Sequence, residues 1–313
     1  MIIDAGMGGL TTAIPVRQTL IGDGAQSSGQ NASMAPGSPE IAGMIIRASS
    51  TVGGVEFSEG WDSFAELVDG AWVERRPRRP EVADQLRRET RLMPWLATRL
   101  PLRVPIPEVV SETPLVVRHA LVPGAAMMSD DAGHGLVLGG FLRALHDCPA
   151  ADAVRHGLPS AGETRRDRAA EFDRFEADVV PLIPVAQRDS ALRLLAAARG
   201  FPADTIVHGD LGPEHVLVDG DRLAGVIDFG DAHLGDAAID LAWPLFGASR
   251  DFADAVAAAY GLADDLRRRA LIWHQLGPWH EVTHGMDIGD DAVVRNGLAG
   301  LLERLEHPDP VSP

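Results

Sequence analysis

A hairpin with reactive side chains at its open end constrains this chain more than any other stretch. Residues 205–240 read TIVHGDLGPEHVLVDGDRLAGVIDFGDAHLGDAAID. Runs 216–218 and 223–227 are β-rich, and Asp219-Gly220-Asp221 between them is hairpin turn chemistry. Folding about Gly220 and Asp221 brings His215, at the start of one strand, within about two residues of Asp228, at the end of the other. Upstream, Ile206 and Val207 form a short buried run that exits at His208-Gly209-Asp210, so a second carboxylate sits at a strand end, five residues before His215. A carboxylate in that position can take a hydroxyl proton, and a ligand pair across a hairpin can hold Mg²⁺ against nucleotide phosphates, which is what phosphoryl transfer requires. Each tripeptide alone is ordinary turn chemistry; in order and joined by a hairpin they become specific.

In these residues the chain resembles the aminoglycoside phosphotransferase family, whose fold is similar to that of protein kinases. The resemblance rests on H-G-D at 208–210, D-F-G at 228–230 and G-D-x-x-x-D-L-A at 235–242, and it extends over residues 52–306. It implies an α+β, two-lobed, kinase-like fold with a small β-rich N-lobe (49–122) and a larger, mainly helical C-lobe (123–308). It also implies ATP or GTP as donor, Mg²⁺, and a small-molecule hydroxyl as acceptor. Asp210 would be the catalytic carboxylate, His215 and Asp228 the metal ligands, and His208 and Asp240 the support of the catalytic loop. The family usually has Asn where this chain has His215. Macrolide phosphotransferases look similar at that position, yet imidazole is a softer ligand than Mg²⁺ prefers.

With 313 residues there is room for two lobes, and a formal charge of −17 argues against general nucleic-acid binding. It also attracts cationic ligands. The single cysteine, Cys148, excludes an internal disulfide and suits a reducing compartment. There is no run of eighteen apolar residues and no basic-then-apolar start, so the expectation is a cytoplasmic protein with no membrane partner. The opening MIIDAGMGGLTTAI resembles the first turn of flavoprotein dinucleotide-binding domains, but Asp4 replaces the first glycine and Pro15 interrupts the helix. Residues 1–48 are therefore read as a leader of unknown role, and 309–313 as a tail.

In the N-lobe, runs 64–68 and 71–75 about Asp69-Gly70 predict a hairpin. Leu86, Glu89, Met93 and Leu96 recur at helical spacing, which sets a carboxylate on an apolar stripe, where it needs a partner. Arg75 on the preceding strand is the candidate. The family has a Lys or Arg at that place, held by a helix Glu and aimed at the α/β-phosphates. The resemblance further places Gly60 and Ser63 in the phosphate loop and R-H-A-L-V-P-G, opening with Arg118, His119 and Ala120, at the inter-lobe hinge that holds the purine. Residues 100–107, with three prolines, read as a turn into the strand 115–117.

In the C-lobe, Leu138, Phe141, Leu142 and Leu145 predict a core helix whose His146 and Cys148 are packing residues. Residues 163–199 are helical, broken at Pro181 and Pro184. Asp236 reads as an N-cap and Asp240 as a buried carboxylate. His280-Glu281-Val282-Thr283-His284 matches the zinc-peptidase pattern H-E-x-x-H, whereas the family resemblance puts His280, Glu281 and His284, with Asp231, on the wall of the acceptor cleft. Three functions stay open: a phosphotransferase for an aminoglycoside, a macrolide or a metabolite hydroxyl; a non-catalytic nucleotide-binding relative, suggested by His215 and by Glu74 and Arg76 where the family prefers apolar residues; and a zinc hydrolase.

Overall fold

The computed structural model describes residues 63–306 and the two-residue strand Val55–Glu56. The expectations for the leader, for Gly60 and for the tail lie outside the described residues. The small lobe is an antiparallel sheet ordered β1-β2-β3-β5-β4, built from β1 (Val55–Glu56), β2 (Ser63–Val68), β3 (Trp72–Pro77), β4 (Glu108–Glu112) and β5 (Leu115–Ala120). Asp69 and Gly70 close the β2–β3 hairpin with φ of 52° and 65°, the double left-handed turn that matches strand twist and that Asp-Gly adopts readily.

Helix α1 (Pro80–Ala97) begins on a proline, where no N–H is needed, and buries Val82, Leu86, Glu89, Leu92, Met93 and Leu96. Its two halves serve different cores. Val82 and Leu86 pack on Leu115 and Val117 of the sheet, while Leu92, Met93 and Leu96 belong to the large core beyond. α1 is thus a pin between lobes.

The structure departs from the sequence expectation in two places. First, between the turn at 100–107 and β5 the chain adds the edge strand β4, with a register shift between Val109 and Ser111. Four of its five residues are exposed apolar or acidic side chains at an unpaired edge, so no alternating pattern announced it. Second, residues 118–120 are not hinge: Arg118, His119 and Ala120 pair with Glu74, Val73 and Trp72 of β3. The strand-free link from β5 to β6 (Ala125–Ala126) is residues 121–124, where the Leu121 N–H donates to the Ala71 carbonyl (2.8 Å).

Beyond β6 (Ala125–Ala126) lie α2 (Ala132–His146), α3 (Ala150–Arg155) and α4 (Ala161–Arg174). A π-helical turn (Phe175–Val179) and a 3₁₀ turn (Val180–Leu182) then lead into α5 (Val185–Arg199), matching the break expected at the prolines. Next come β7 (Thr205–Val207), β8 (Val216–Asp219), β9 (Arg222–Val226), β10 (His233–Gly235), α6 (Ala238–Phe246), α7 (Arg250–Tyr260), α8 (Asp264–Ile288) and α9 (Asp291–Leu305). The predicted stripe Leu138, Phe141, Leu142 and Leu145 is fully buried in one large core with Phe172, Phe175, Phe252 and Trp279. Truncating any of the three leucines to Ala costs about 2–5 kcal/mol in such a core. Two small sheets, β6-β8-β9 and β10-β7, lie at the lobe boundary and carry the reactive turns. Among the described residues no helix is long and apolar enough to cross a membrane.

Candidate active site

The first reactive turn leaves β7, which pairs antiparallel with β10. Asp240, in the first turn of α6 and fully buried, accepts the His208 N–H on Oδ2 (2.7 Å) and the Gly209 N–H on Oδ1 (3.0 Å). Burial opposes its ionisation, but His146, His208 and the Gly209 N–H together hold its pKa below the ordinary carboxylate value. His208 is buried too, which lowers its pKa and keeps it neutral near pH 7. Its Nε2 donates to the Ile227 carbonyl (2.8 Å), which leaves Nδ1 to accept the Asp210 N–H (3.3 Å). Gly209 has φ 89°, and a Cβ there would run into the Asp231 carbonyl, so the position requires glycine. The backbone that delivers Asp210 is therefore fixed from both sides.

The second turn leaves β9. Pairing of Val216 with Val226 sets His215 beside Ile227, whose N–H donates to the His215 carbonyl (2.9 Å). Asp228 follows in a left-handed conformation, φ 64°. His215 Nδ1 donates to the Asp210 carbonyl (2.7 Å) and lies 3.9 Å from Asp210 Oδ2; its Nε2 lies 3.8 Å from Asp228 Oδ2. The β8–β9 hairpin brings His215 to Asp228 as its turn chemistry implied, and the turn after β7 adds Asp210. Burial pushes the Asp210 carboxyl up to about 6, helped by Asp228 and Glu214 and opposed by His215 and His280. The Asp228 side chain is half-exposed, and the desolvation of its inner side, which acts the same way, is outweighed by Arg75, His215, His208 and the Gly230 N–H, which hold the pKa low. His215 is raised despite its burial, because the Asp228 and Asp210 carboxylates favour the imidazolium.

The third contribution comes from the small lobe. Arg75 Nη1 meets Glu89 Oε2 (2.8 Å), its Nε donates to Ser63 Oγ (3.1 Å), and its Nη2 lies 3.9 Å from Asp228 Oδ1. Burial raises the Glu89 pKa and Arg75 works against it, so the carboxylate on the apolar stripe has the partner it needed. Alternation along β3 decides a further point. Val73 and Arg75 face α1 and the cleft, while Glu74 and Arg76 point to the opposite face, where Arg76 pairs with Glu66 (3.1 Å) and Glu74 (3.3 Å). Their polarity therefore says nothing against nucleotide binding. His119 pairs opposite Val73, is buried, and has its pKa lowered by that burial, with Arg75 and Asp228 near enough to act on it.

On the far side, His280 of α8 puts Nδ1 3.0 Å from Glu171 Oε1 of α4 and sets its ring edge-on to Phe175. Burial lowers its pKa, but Glu171, Asp210 and Asp231 together raise it, which puts the imidazole on the Asp210 side of the cleft. The Asp231 carbonyl accepts from His233 Nδ1 (2.8 Å). Glu281 looks elsewhere: burial raises its pKa, and the charge that opposes this is Arg304 of α9. His284 lies one turn further along α8. Among the described residues no three His, Cys, Asp or Glu side chains lie close enough to hold a metal ion unaided, so H-E-x-x-H does not assemble the three-ligand site that zinc hydrolysis requires.

The model of the phosphotransferase enzyme family matches residues 53–272, well over half of the chain. The chain belongs to that family. Its fold agrees: the GDP and kanamycin complex of APH(2″)-IIia superposes with a TM-score of 0.71 at 25% identity, covering 82% of this chain and 94% of that one. Macrolide 2′-phosphotransferase MphH from Brachybacterium faecium does so with 0.62 at 25% identity, over 80% and 90%. By sequence, viomycin phosphotransferase of Streptomyces vinaceus is 36% identical over 140 residues, 39% of this chain and 43% of that protein, so the match spans less than half of the relative. Aminoglycoside 3′-phosphotransferase of Escherichia coli is 26% identical over 255 residues, 74% of this chain and 84% of that protein.

Two site features escaped the sequence reading. His146, whose place on the α2 stripe predicts packing alone, holds Asp240 Oδ2 through Nε2 (3.0 Å) and Tyr260 through Nδ1 (2.8 Å). Glu171 meets His280 from a helix whose pattern gave no sign of it. Both contacts join elements more than 90 residues apart, a separation at which neither period nor spacing carries information.

Proposed function

We propose that this phosphotransferase moves the γ-phosphoryl group of ATP or GTP to a hydroxyl of an aminoglycoside-type antibiotic. One observation carries the reading: Asp210, His215, Asp228, Arg75 and Glu89 form an unbroken series of charged neighbours across both lobes, each step 3.9 Å or less. Phosphoryl transfer needs little covalent work from the protein and much positioning and charge compensation, which such a series supplies. Asp210, held on a fixed backbone with a pKa of about 6, is suited to orient an acceptor hydroxyl and take its proton near neutral pH. Arg75, pinned by Glu89 and Ser63, offers a guanidinium to the donor phosphates at the mouth of the sheet. Ser63 with Gly60 would form the phosphate loop, and His119 with residues 121–124 the nucleobase side, which sets the lobe boundary near residue 122.

His215 Nε2 and half-exposed Asp228 are the groups that would hold a divalent cation, since Nδ1 is already committed to the Asp210 carbonyl. Two protein donors fit Mg²⁺, which keeps waters and phosphate oxygens as its remaining ligands. When bound, the ion supplies charge compensation on the donor phosphates. Asp210, Asp231 and Glu171 give the acceptor side an acidic lining, with His280 fixed among them, and a net charge of −17 favours a cationic acceptor. The single cysteine and the triphosphate donor suit the cytoplasm.

The test is direct. Purified protein is incubated with Mg²⁺, ATP or GTP, and in turn viomycin, kanamycin and a macrolide, and the acceptors are examined by mass spectrometry for one added phosphate. Phosphorylation of kanamycin or viomycin supports the reading. Transfer to the macrolide alone would move the enzyme to the macrolide branch that His215 resembles, and nucleotide binding with no transfer to any acceptor would make it a non-catalytic relative.

A further inference from the structure

Tyr260, the only tyrosine in the chain, is buried at the C-terminal end of α7, far in sequence from every motif residue. α2 and α7 approach unusually closely. A Cβ at Gly135 would come within 2.6 Å of the Phe252 carbonyl, and one at Gly139 within 2.6 Å of the Val256 carbonyl. Gly135, Gly139 and His146 lie on one face of α2, and Phe252, Val256 and Tyr260 on one face of α7, so the two glycines seat the tyrosine against the histidine.

The resulting line of hydrogen bonds runs from the surface helix to the catalytic loop. The Tyr260 hydroxyl lies 2.8 Å from His146 Nδ1, and His146 Nε2 lies 3.0 Å from Asp240 Oδ2. Asp240 in turn accepts the N–H groups of His208 (2.7 Å) and Gly209 (3.0 Å), the two residues before Asp210. The tautomer follows from the partners. Asp240 is a carboxylate and can only accept, so Nε2 carries the proton; Nδ1 then presents a lone pair, and the phenol O–H fills it. Burial pushes the Tyr260 hydroxyl up to about 12, which keeps it a donor across the working pH range. Arg143, paired with Asp147 (2.8 Å), lies over the ring and is the charged neighbour on the outer side.

We infer that Tyr260 is a positioning residue for the catalytic loop: it holds His146 in the one tautomer that lets Asp240 clamp the backbone delivering Asp210. The catalytic consequence rests on the proposed role of Asp210, whereas the coupling itself does not. Tyr260→Phe removes one hydroxyl from a buried position and leaves the ring packing in place.

Two measurements test it. Amide hydrogen exchange of the substrate-free protein reads the coupling alone: in Tyr260→Phe the His208 and Gly209 amides exchange about tenfold faster, as the loss of roughly 1.4 kcal/mol would give, while the β2–β3 hairpin is unchanged. Unaltered exchange at 208 and 209, or equal acceleration in every segment, overturns the proposal. Steady-state transfer from Mg²⁺-ATP to kanamycin reads the consequence: kcat falls about tenfold with both KM values within about twofold, and on a His146→Gln background Tyr260→Phe adds nothing further. Multiplying effects in that cycle would mean Tyr260 does not act through His146. If kanamycin is not an acceptor, the proposed function loses that substrate and the exchange result still decides the coupling.

Discussion

The two turns that carry Asp210 and Asp228 look alike in sequence: each follows a short apolar strand and ends in Asp within three residues. The folded molecule treats them oppositely. The Asp210 turn is clamped by Asp240 and His208, and burial with neighbouring carboxylates lifts its pKa to about 6. The Asp228 turn is half-exposed, stands at a positive φ, and is faced by Arg75 and His215, which hold its carboxyl ionised. One residue type thus yields a proton acceptor near neutrality and a permanent anion. Environment assigns the two roles, as in other paired-carboxylate sites.

The sharpest way to break this contrast is to exchange each carboxylate for its amide. Asp210→Asn should lower kcat by about 10²–10⁴ with donor KM within a few-fold, whereas Asp228→Asn should act first on Mg²⁺-nucleotide affinity. Steady-state kinetics with both substrates varied would show it, and equal effects on the same parameter would erase the distinction. In the wild type, log(kcat/KM) should drop about one unit per pH unit below about 6, where Asp210 takes up a proton. Asp228, whose pKa is lowered, should add no second acid limb in that range.

A stability measurement sharpens the same point. The Asp210 pKa is raised from 3.8 to about 6, so the folded state holds this proton more tightly than the unfolded chain. Its contribution is complete below 3.8 and is lost as pH rises through about 6. Asp210→Asn should accordingly be more stable than wild type at pH 8, by at most about 3 kcal/mol, and the advantage should disappear on going to pH 4. Urea unfolding at the two pH values checks it; an amide variant less stable at pH 8 would show that the carboxylate is not strained there.

Smaller effects separate the two faces of the small lobe. Glu89→Gln removes the nearer of the two carboxylates beside Arg75, leaving Asp228 at 3.9 Å, and should raise donor KM about tenfold, a loss of about 1.4 kcal/mol, with little change in acceptor KM. Arg76→Ala, one residue along β3 but on the outer face, should change stability by less than about 0.5 kcal/mol and no kinetic constant. A donor KM that responded to Arg76 would mean that the alternation along β3 has been read the wrong way round.

Much of this was legible in the chain because it is local. Alternation and an Asp-Gly turn announced β2–β3, the 3.6-residue period announced α1 and α2, and the turn at Gly220 was enough to bring His215 to Asp228. The period on α1 even required a partner for Glu89. Strand β4 stayed hidden because an exposed edge has no buried face to leave a pattern, and the hinge was read too long because the same residues suit a strand or a loop until a neighbouring strand pairs with them.

What the sequence by itself determined is the identity and order of the reactive groups, since spacing within one hairpin or one helix fixes which side chains can meet. Only the tertiary structure decided their charge states and their supports: that burial lifts the Asp210 carboxyl to about 6 while Arg75 and His215 hold Asp228 low, that His280 pairs with Glu171 of α4, and that His146 and Tyr260 stand behind Asp240, which holds the His208 and Gly209 N–H groups. The physical reason is that protonation depends on burial and on every charge within a few ångströms, and those neighbours arrive from helices far apart in the chain, joined by packing that leaves no mark on local sequence.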